Sequence, residues 1–204
     1  AEMIEEEGTF GDRARWAWTT AWSDWVEDFG KRELPSSDTD QKIRLAEKER
    51  LLREVEELAD QIDALQPGLR EEMIAERRRD LTPPEREALE TPAYERTAAQ
   101  HEAAASKLEL THEQVARRVR GAEKREKALE LARRAEELER VAHMTDRDRT
   151  IVNYQYWERR AEVEQTAEAI AARENMYLAR QAYLENDPLS AREYYDQAAV
   201  HWSN

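Results

Sequence analysis

Cysteine is missing from all 204 residues, which excludes disulfides, thiolate nucleophiles and cysteine-based zinc sites and leaves the redox compartment open. Glycine and proline are scarce, five and six residues, too few turn formers for a protein built from many short strands. No run of about 18 apolar residues occurs, so no segment reads as a bilayer-spanning helix. Positive charge is in deficit: 32 Lys and Arg against 46 Asp and Glu give a net charge of −14. Such a surface repels a phosphate backbone and anionic lipid, so nucleic acid is not an expected partner. A Gly-rich phosphate loop, a His-Glu-x-x-His zinc motif and a Gly-x-Ser-x-Gly elbow are all lacking. The chain starts Ala1-Glu2-Met3-Ile4 without an initiator Met, a start expected of a processed or a trimmed product, either of which leaves room for a lost upstream signal or anchor.

What is present is helical in character. Charged residues make up 38% of the chain, and mean hydropathy is −1.00. Composition rich in Ala, Glu, Leu, Arg and Lys belongs to long helices and coiled coils. Disorder is the competing reading of so much charge; regular apolar spacing argues against it over most of the length.

Four of the six tryptophans fall within residues 16 to 25. Trp18, Trp22, Trp25 and Phe29 are spaced four, three and four apart and share an arc of roughly 60° on a helix. Trp16 lies outside that stripe. An aromatic side chain buries about 150–250 Å², so the stripe needs a cover. Three covers are open: another protein subunit, the rest of the chain, or a membrane interface. Asp24, Glu27 and Asp28 disfavour the membrane, and a linker at Pro35-Ser36-Ser37 separates the stripe from the body. The expectation is therefore a docking face of Trp18, Trp22, Trp25 and Phe29 for a partner protein.

Asp38-Thr39-Asp40-Gln41 reads as a helix start. The helix it opens carries Leu51, Val55, Leu58, Ile62 and Leu65 at coiled-coil spacing, until Pro67-Gly68 stops it. Leu69 and Met73 mark a second helix closing near Asp80. Thr82-Pro83-Pro84-Glu85, Thr91-Pro92, Thr97 to Gln100 and Thr111 to Gln114 repeat helix-start chemistry, predicting short helices. From His112 to His143 a long pattern runs through Val115, Val119, Leu131, Ala135 and Leu138, kinked at Gly121. Its expected partner is the 41–66 arm, packed antiparallel. Arg117, Arg118, Arg120, Lys124, Arg125 and Lys127 alternate with acids and read as a salt-laced exposed face rather than a polyanion site.

Tyr154, Tyr156 and Trp157 precede a capped helix beginning near Thr166, and Asp187-Pro188 opens the last helix. Ala191, Tyr195 and Ala198, with Tyr183 before them, match the spacing of one tetratricopeptide unit. A single such unit cannot bury its own face. Tyr154, Tyr156, Trp157, Tyr183 and Tyr195 form a second candidate aromatic set, for which a core role and a ligand-stacking role both remain open.

The stretch Ile151-Val152-Asn153-Tyr154-Gln155-Tyr156-Trp157, followed by Glu164-Gln165-Thr166, resembles a family of helical planctomycete proteins often labelled "iron responsive element". Leu81 to Glu85 and Glu95-Arg96-Thr97 are similar to its middle region. The resemblance covers roughly residues 40 to 202. Members often carry a cysteine where Ala161 stands here, so no thiol chemistry transfers. It implies an envelope-associated bacterial helical protein, often with a membrane segment ahead of it, and no particular activity, iron or RNA.

Of the four histidines, only Glu109-Leu-Thr-His112 approaches a di-iron motif, and a cap at Thr111 breaks its helix. No catalytic residue, metal site or cofactor is expected. The predicted architecture is all-α: an acidic lead and aromatic docking helix (1–34), an elongated helical hairpin or short coiled coil with capping helices (35–150), and a tetratricopeptide-like region (151–204). The predicted role is a non-catalytic accessory subunit or scaffold in a larger assembly, membrane-attached or not, with other protein subunits as partners. Any membrane contact would be indirect or made by a segment outside this sequence. The alternative is a stand-alone module that binds a peptide in the C-terminal helical groove.

Overall fold

A computed structural model describes residues 1–106 and 108–203, the side chains of 103–106 excepted. The fold is all-α: eleven α-helices and one ribbon of two two-residue strands are found among the described residues. Two compact units divide the chain, one of residues 49–143 and one of residues 1–48 together with the chain from Met144 onward. The stretch expected to stand apart as residues 1–34 therefore shares a unit with the C-terminal helices.

The 49–143 unit contains most of α3 (Lys48–Leu65), then α4 (Leu69–Arg79), α5 (Pro83–Glu90), α6 (Ala98–Ser106), α7 (His112–Arg118) and the first part of α8 (Ala122–Ile151). The heptad pattern is realised, with Leu51, Val55, Leu58 and Ile62 of α3 buried. Ile62, Leu69 and Met73 pack with Val115, Ala116, Val119, Ala128 and Ala132, while Val55 and Leu58 pack with Ala135. Each large aliphatic residue so buried contributes about 1.5–3 kcal/mol. The facing positions on α8 are alanines, which let the two helices approach closely. Glu54 pairs with Arg134, and Lys124 donates to the Leu65 carbonyl. Partners that rise along α3 fall along α8, so the pair is antiparallel, as the spacing predicted.

Side-chain caps start three of the helices here, α5, α6 and α7. Thr82 with Glu85 and Thr111 with Gln114 form reciprocal capping boxes. Thr91-Pro92 opens only the 3₁₀ turn Ala93–Glu95. The expected 112–143 helix is interrupted rather than kinked: α7 stops at Arg118, and Gly121, at φ +88°, precedes α8. Extended backbone at Val119 (φ −60°, ψ 131°) ends α7, and the left-handed position at Gly121 suits glycine.

In the other unit, α1 (Glu2–Glu6) leads through Gly8 and Gly11 to α2 (Asp12–Ser23), which widens into a π-type turn at Asp24–Phe29. The end of α8 follows, then α9 (Tyr154–Glu164), α10 (Ala167–Leu184) and α11 (Pro188–Ser203). Thr166 caps α10 through Ala169 N–H, and Asp187 accepts from Ser190 N–H at the start of α11. Asn153 turns the chain between α8 and α9 at φ 52°, a conformation asparagine tolerates.

Residues 38–41 do not start a helix. β1 (Leu34–Pro35) pairs antiparallel with β2 (Lys42–Ile43), and α3 begins only at Lys48. The Thr39 hydroxyl accepts from Gln41 N–H, closing the turn between the strands instead of capping. Nor is 35–37 a free linker. Ser37 donates to Asp148 through both its amide and its hydroxyl, and Asp38 pairs with Arg147.

Candidate functional site

The tryptophan stripe leads into the core of its own unit. Trp18 is 5% exposed; its Nε1–H donates to Glu5 Oε1 at 2.9 Å, and the guanidiniums of Arg160 and Arg173 lie 5.8 and 5.7 Å from its ring. Trp25 donates from Nε1 to the Tyr154 carbonyl at 3.1 Å and stacks on Phe29 and Tyr154, with centroids 4.8 and 5.6 Å away. Trp22, Trp25 and Phe29 are half-buried, and Trp16 is exposed. The intrachain cover is thus the one observed for Trp18 and Trp25. The reason is long-range: Ser36, Ser37 and the ribbon return the chain to the end of α8, and Ala46 N–H bonds the Gly30 carbonyl. Tyr154 is brought against the stripe from 129 residues away in sequence.

The second aromatic set splits. Tyr154 is core, at 1% exposure. Tyr156 and Trp157 pair edge to face at 5.0 Å and remain exposed, as do Tyr183 on α10 and Tyr195 on α11.

Sequence reasoning missed the charged cluster beneath these rings. Glu164 of α9 holds Arg173 of α10 through both carboxylate oxygens, and Arg160 ties Glu2 of α1 to α9. Glu5 reaches Arg173 at 3.6 Å. Burial pushes the Glu5 carboxyl above its ordinary value, against the Trp18 hydrogen bond and the Arg173 charge, which favour ionisation. The Glu164 hydrogen bond raises Arg173 further, keeping it cationic. Glu5 read as part of an irregular acidic lead; the spacing of Glu2 and Glu5, three apart on one helical face, was the available signal.

Two cavities flank α1. One of about 420 Å³ is lined by Met3, Trp18, Trp25, Trp157 and Ala161; the other, about 740 Å³, by Glu6, Phe10, Met176, Tyr177 and Leu184 among others. The first is an apolar, indole-lined space and the second has mixed polarity. Both can receive apolar groups beside a fixed array of carboxylates and guanidiniums.

Among the described residues no group of three or more His, Asp or Glu is arranged to hold a metal, and no helix is long and apolar enough to cross a membrane. Comparisons with protein-family models, with curated proteins and with solved structures give no match.

Proposed function

We propose that this chain is a non-catalytic structural subunit that docks into a larger protein assembly through the exterior of the α10–α11 pair. One observation carries the reading. The buried residues of the pair are almost all alanine (Ala169, Ala172, Ala179 and Ala182 with Ala191 and Ala198), and only Ile170 is large. Small seam residues let the helices approach closely, which leaves the large side chains outside. Tyr183, Leu184, Leu189, Val200 and Trp202 are between 46% and 77% exposed. Large apolar side chains left exposed on one helix pair support its use as an interaction surface. The Ala191, Tyr195, Ala198 spacing supports a tetratricopeptide-like unit that awaits a neighbour. A stand-alone peptide-binding module would use the same pair, but its partner would come and go. The resemblance to planctomycete proteins would place the assembly at the bacterial envelope.

Replacing Tyr183, Leu189 and Trp202 with Ser tests the proposal. The variant should keep the circular dichroism of the parent yet fail to co-purify with the assembly from its native source. Retention in the complex at parental yield would overturn the reading. Changing Trp18 and Trp25 to Ala serves as the contrast, since it should lower stability instead.

A further inference from the structure

Helix α1 is held by charge more than by packing. Its five residues place Glu2 on Arg160 and Glu5 on Trp18 and Arg173, with Ile4 half-buried and Met3 exposed. The two arginines come from different helices, α9 and α10, and both lie within 6 Å of the centre of the Trp18 ring. A pair of guanidiniums set over one indole, each already offered to a carboxylate, is a receptor for two acids spaced one helical turn apart.

The occupant does not fill its cleft. Cavities of about 420 and 740 Å³ remain on either side of α1, one walled by Trp25 and Trp157, the other by Phe10, Met176 and Leu184. Glu5 is 6% exposed, and its Oε2 accepts no hydrogen bond. Its carboxyl is pushed up by burial, so the ionised form is held at a cost. The segment is joined to α2 through Gly8 and Gly11, both at positive φ. A Cβ at Gly11 would meet nothing within 4 Å, whereas one at Gly8 would fall 2.8 Å from the Tyr177 hydroxyl, so the joint is open on its α2 side and packed on its α1 side. These are properties of a contact that can exchange.

We propose that the cleft between α2, α9 and α10 is a binding site for an acidic amphipathic helix of a partner protein, occupied in this chain by α1 as a stand-in ligand. The partner helix would place two carboxylates three residues apart on Arg160 and Arg173 and set apolar side chains into the indole-lined cavity. The cleft's fixed charges are Arg160 and Arg173 with one carboxylate, Glu164, paired to both, so two cations face one fixed acid and charge complementarity selects an acidic partner. The site is separate from the α10–α11 exterior and does not depend on that surface being used.

The full chain carrying Glu2→Lys and Glu5→Lys tests the proposal. Charge reversal should expel α1 while leaving the cleft intact, so helical circular dichroism persists and tryptophan emission shifts to the red. A fluorescein-labelled peptide with the sequence of residues 1–11 should then bind saturably. The parent should bind it at least about tenfold more weakly, since its own segment competes at an effective concentration on the order of millimolar. Adding Arg160→Gln should remove the binding. Hydrogen exchange on the unaltered chain is the second measurement: α1 amides and the Trp18 indole N–H should exchange through local opening, well ahead of α10 amides. Equal protection of α1 and α10 would make α1 ordinary core and overturn the proposal. So would a folded reversal variant that binds the peptide no better than the parent. A parent dimer with α1 exchanged between copies would also overturn it, by assigning the cleft to a second copy.

Discussion

Asp148 and Glu5 are both buried acids, yet they respond to pH in opposite senses. Burial works against ionisation of Asp148, but hydrogen bonds from Ser37 and Ser36 and the charge of Arg147 outweigh it, and its pKa falls below the ordinary 3.8. An acid depressed in the folded state adds stability above its unfolded value and loses it as pH falls through the folded one. Glu5, raised from 4.5, does the reverse: protonation favours the fold, and the cost of ionisation appears as pH rises through its folded value. Asp148→Asn should therefore melt lower than the parent near neutral pH, and the gap should close as pH falls through the folded-state pKa. Thermal melts from pH 7 down to pH 2 measure this. A gap that stays constant over that range would show that the Ser37 contacts act through shape and not through charge.

At the scale of elements, the π-type turn fits closely against α9 at Gly30. Gly30 has ordinary helical φ, −63°, so no backbone strain requires glycine there. Space requires it: a Cβ would fall on the Tyr154 hydroxyl and 2.7 Å from the Val26 carbonyl oxygen. Gly30→Ala should destabilise by about 1–3 kcal/mol, the range for overpacking. Tyr154→Phe in the same chain should return part of that loss, because the nearest clashing atom is gone while Val26 remains. Denaturant titration of the two single variants and the double variant gives the coupling directly. Strict additivity would contradict the account.

Elements also show what could be read locally. Thr82, Thr111, Thr166 and Asp187 announce helix starts because a cap is satisfied within three residues. The α3 seam was legible for the same reason, its period being a property of one segment. Asp38 to Gln41 misled because its side chains are used elsewhere, Asp38 on Arg147 and Thr39 on the ribbon turn. The tryptophan stripe was found by its spacing, but periodicity reports only that a face is apolar and says nothing of its cover. That cover is Tyr154 and the Arg160–Arg173 pair, contributed by α9 and α10 from far along the chain.

For the whole molecule, the aromatic residues sort into two kinds. Trp18 and Tyr154 are internal, with the half-buried Trp25 stacked on Tyr154, and hold one unit together, whereas Tyr183 and Trp202, together with the aliphatic Leu189, stand outside on a helix pair whose seam is alanine. Under the proposed function docking falls to the C-terminal exterior, while in the N-terminal stripe Trp18 is core and Trp22, Trp25 and Phe29 are half-buried. Hydroxyl-radical footprinting of the chain alone and within its native assembly tests this assignment most directly. The account predicts strong protection of Tyr183, Leu189 and Trp202 on assembly, with Trp18 and Trp25 little labelled in either state. Unchanged labelling of those three hairpin residues, with new protection confined to other surfaces, would contradict it.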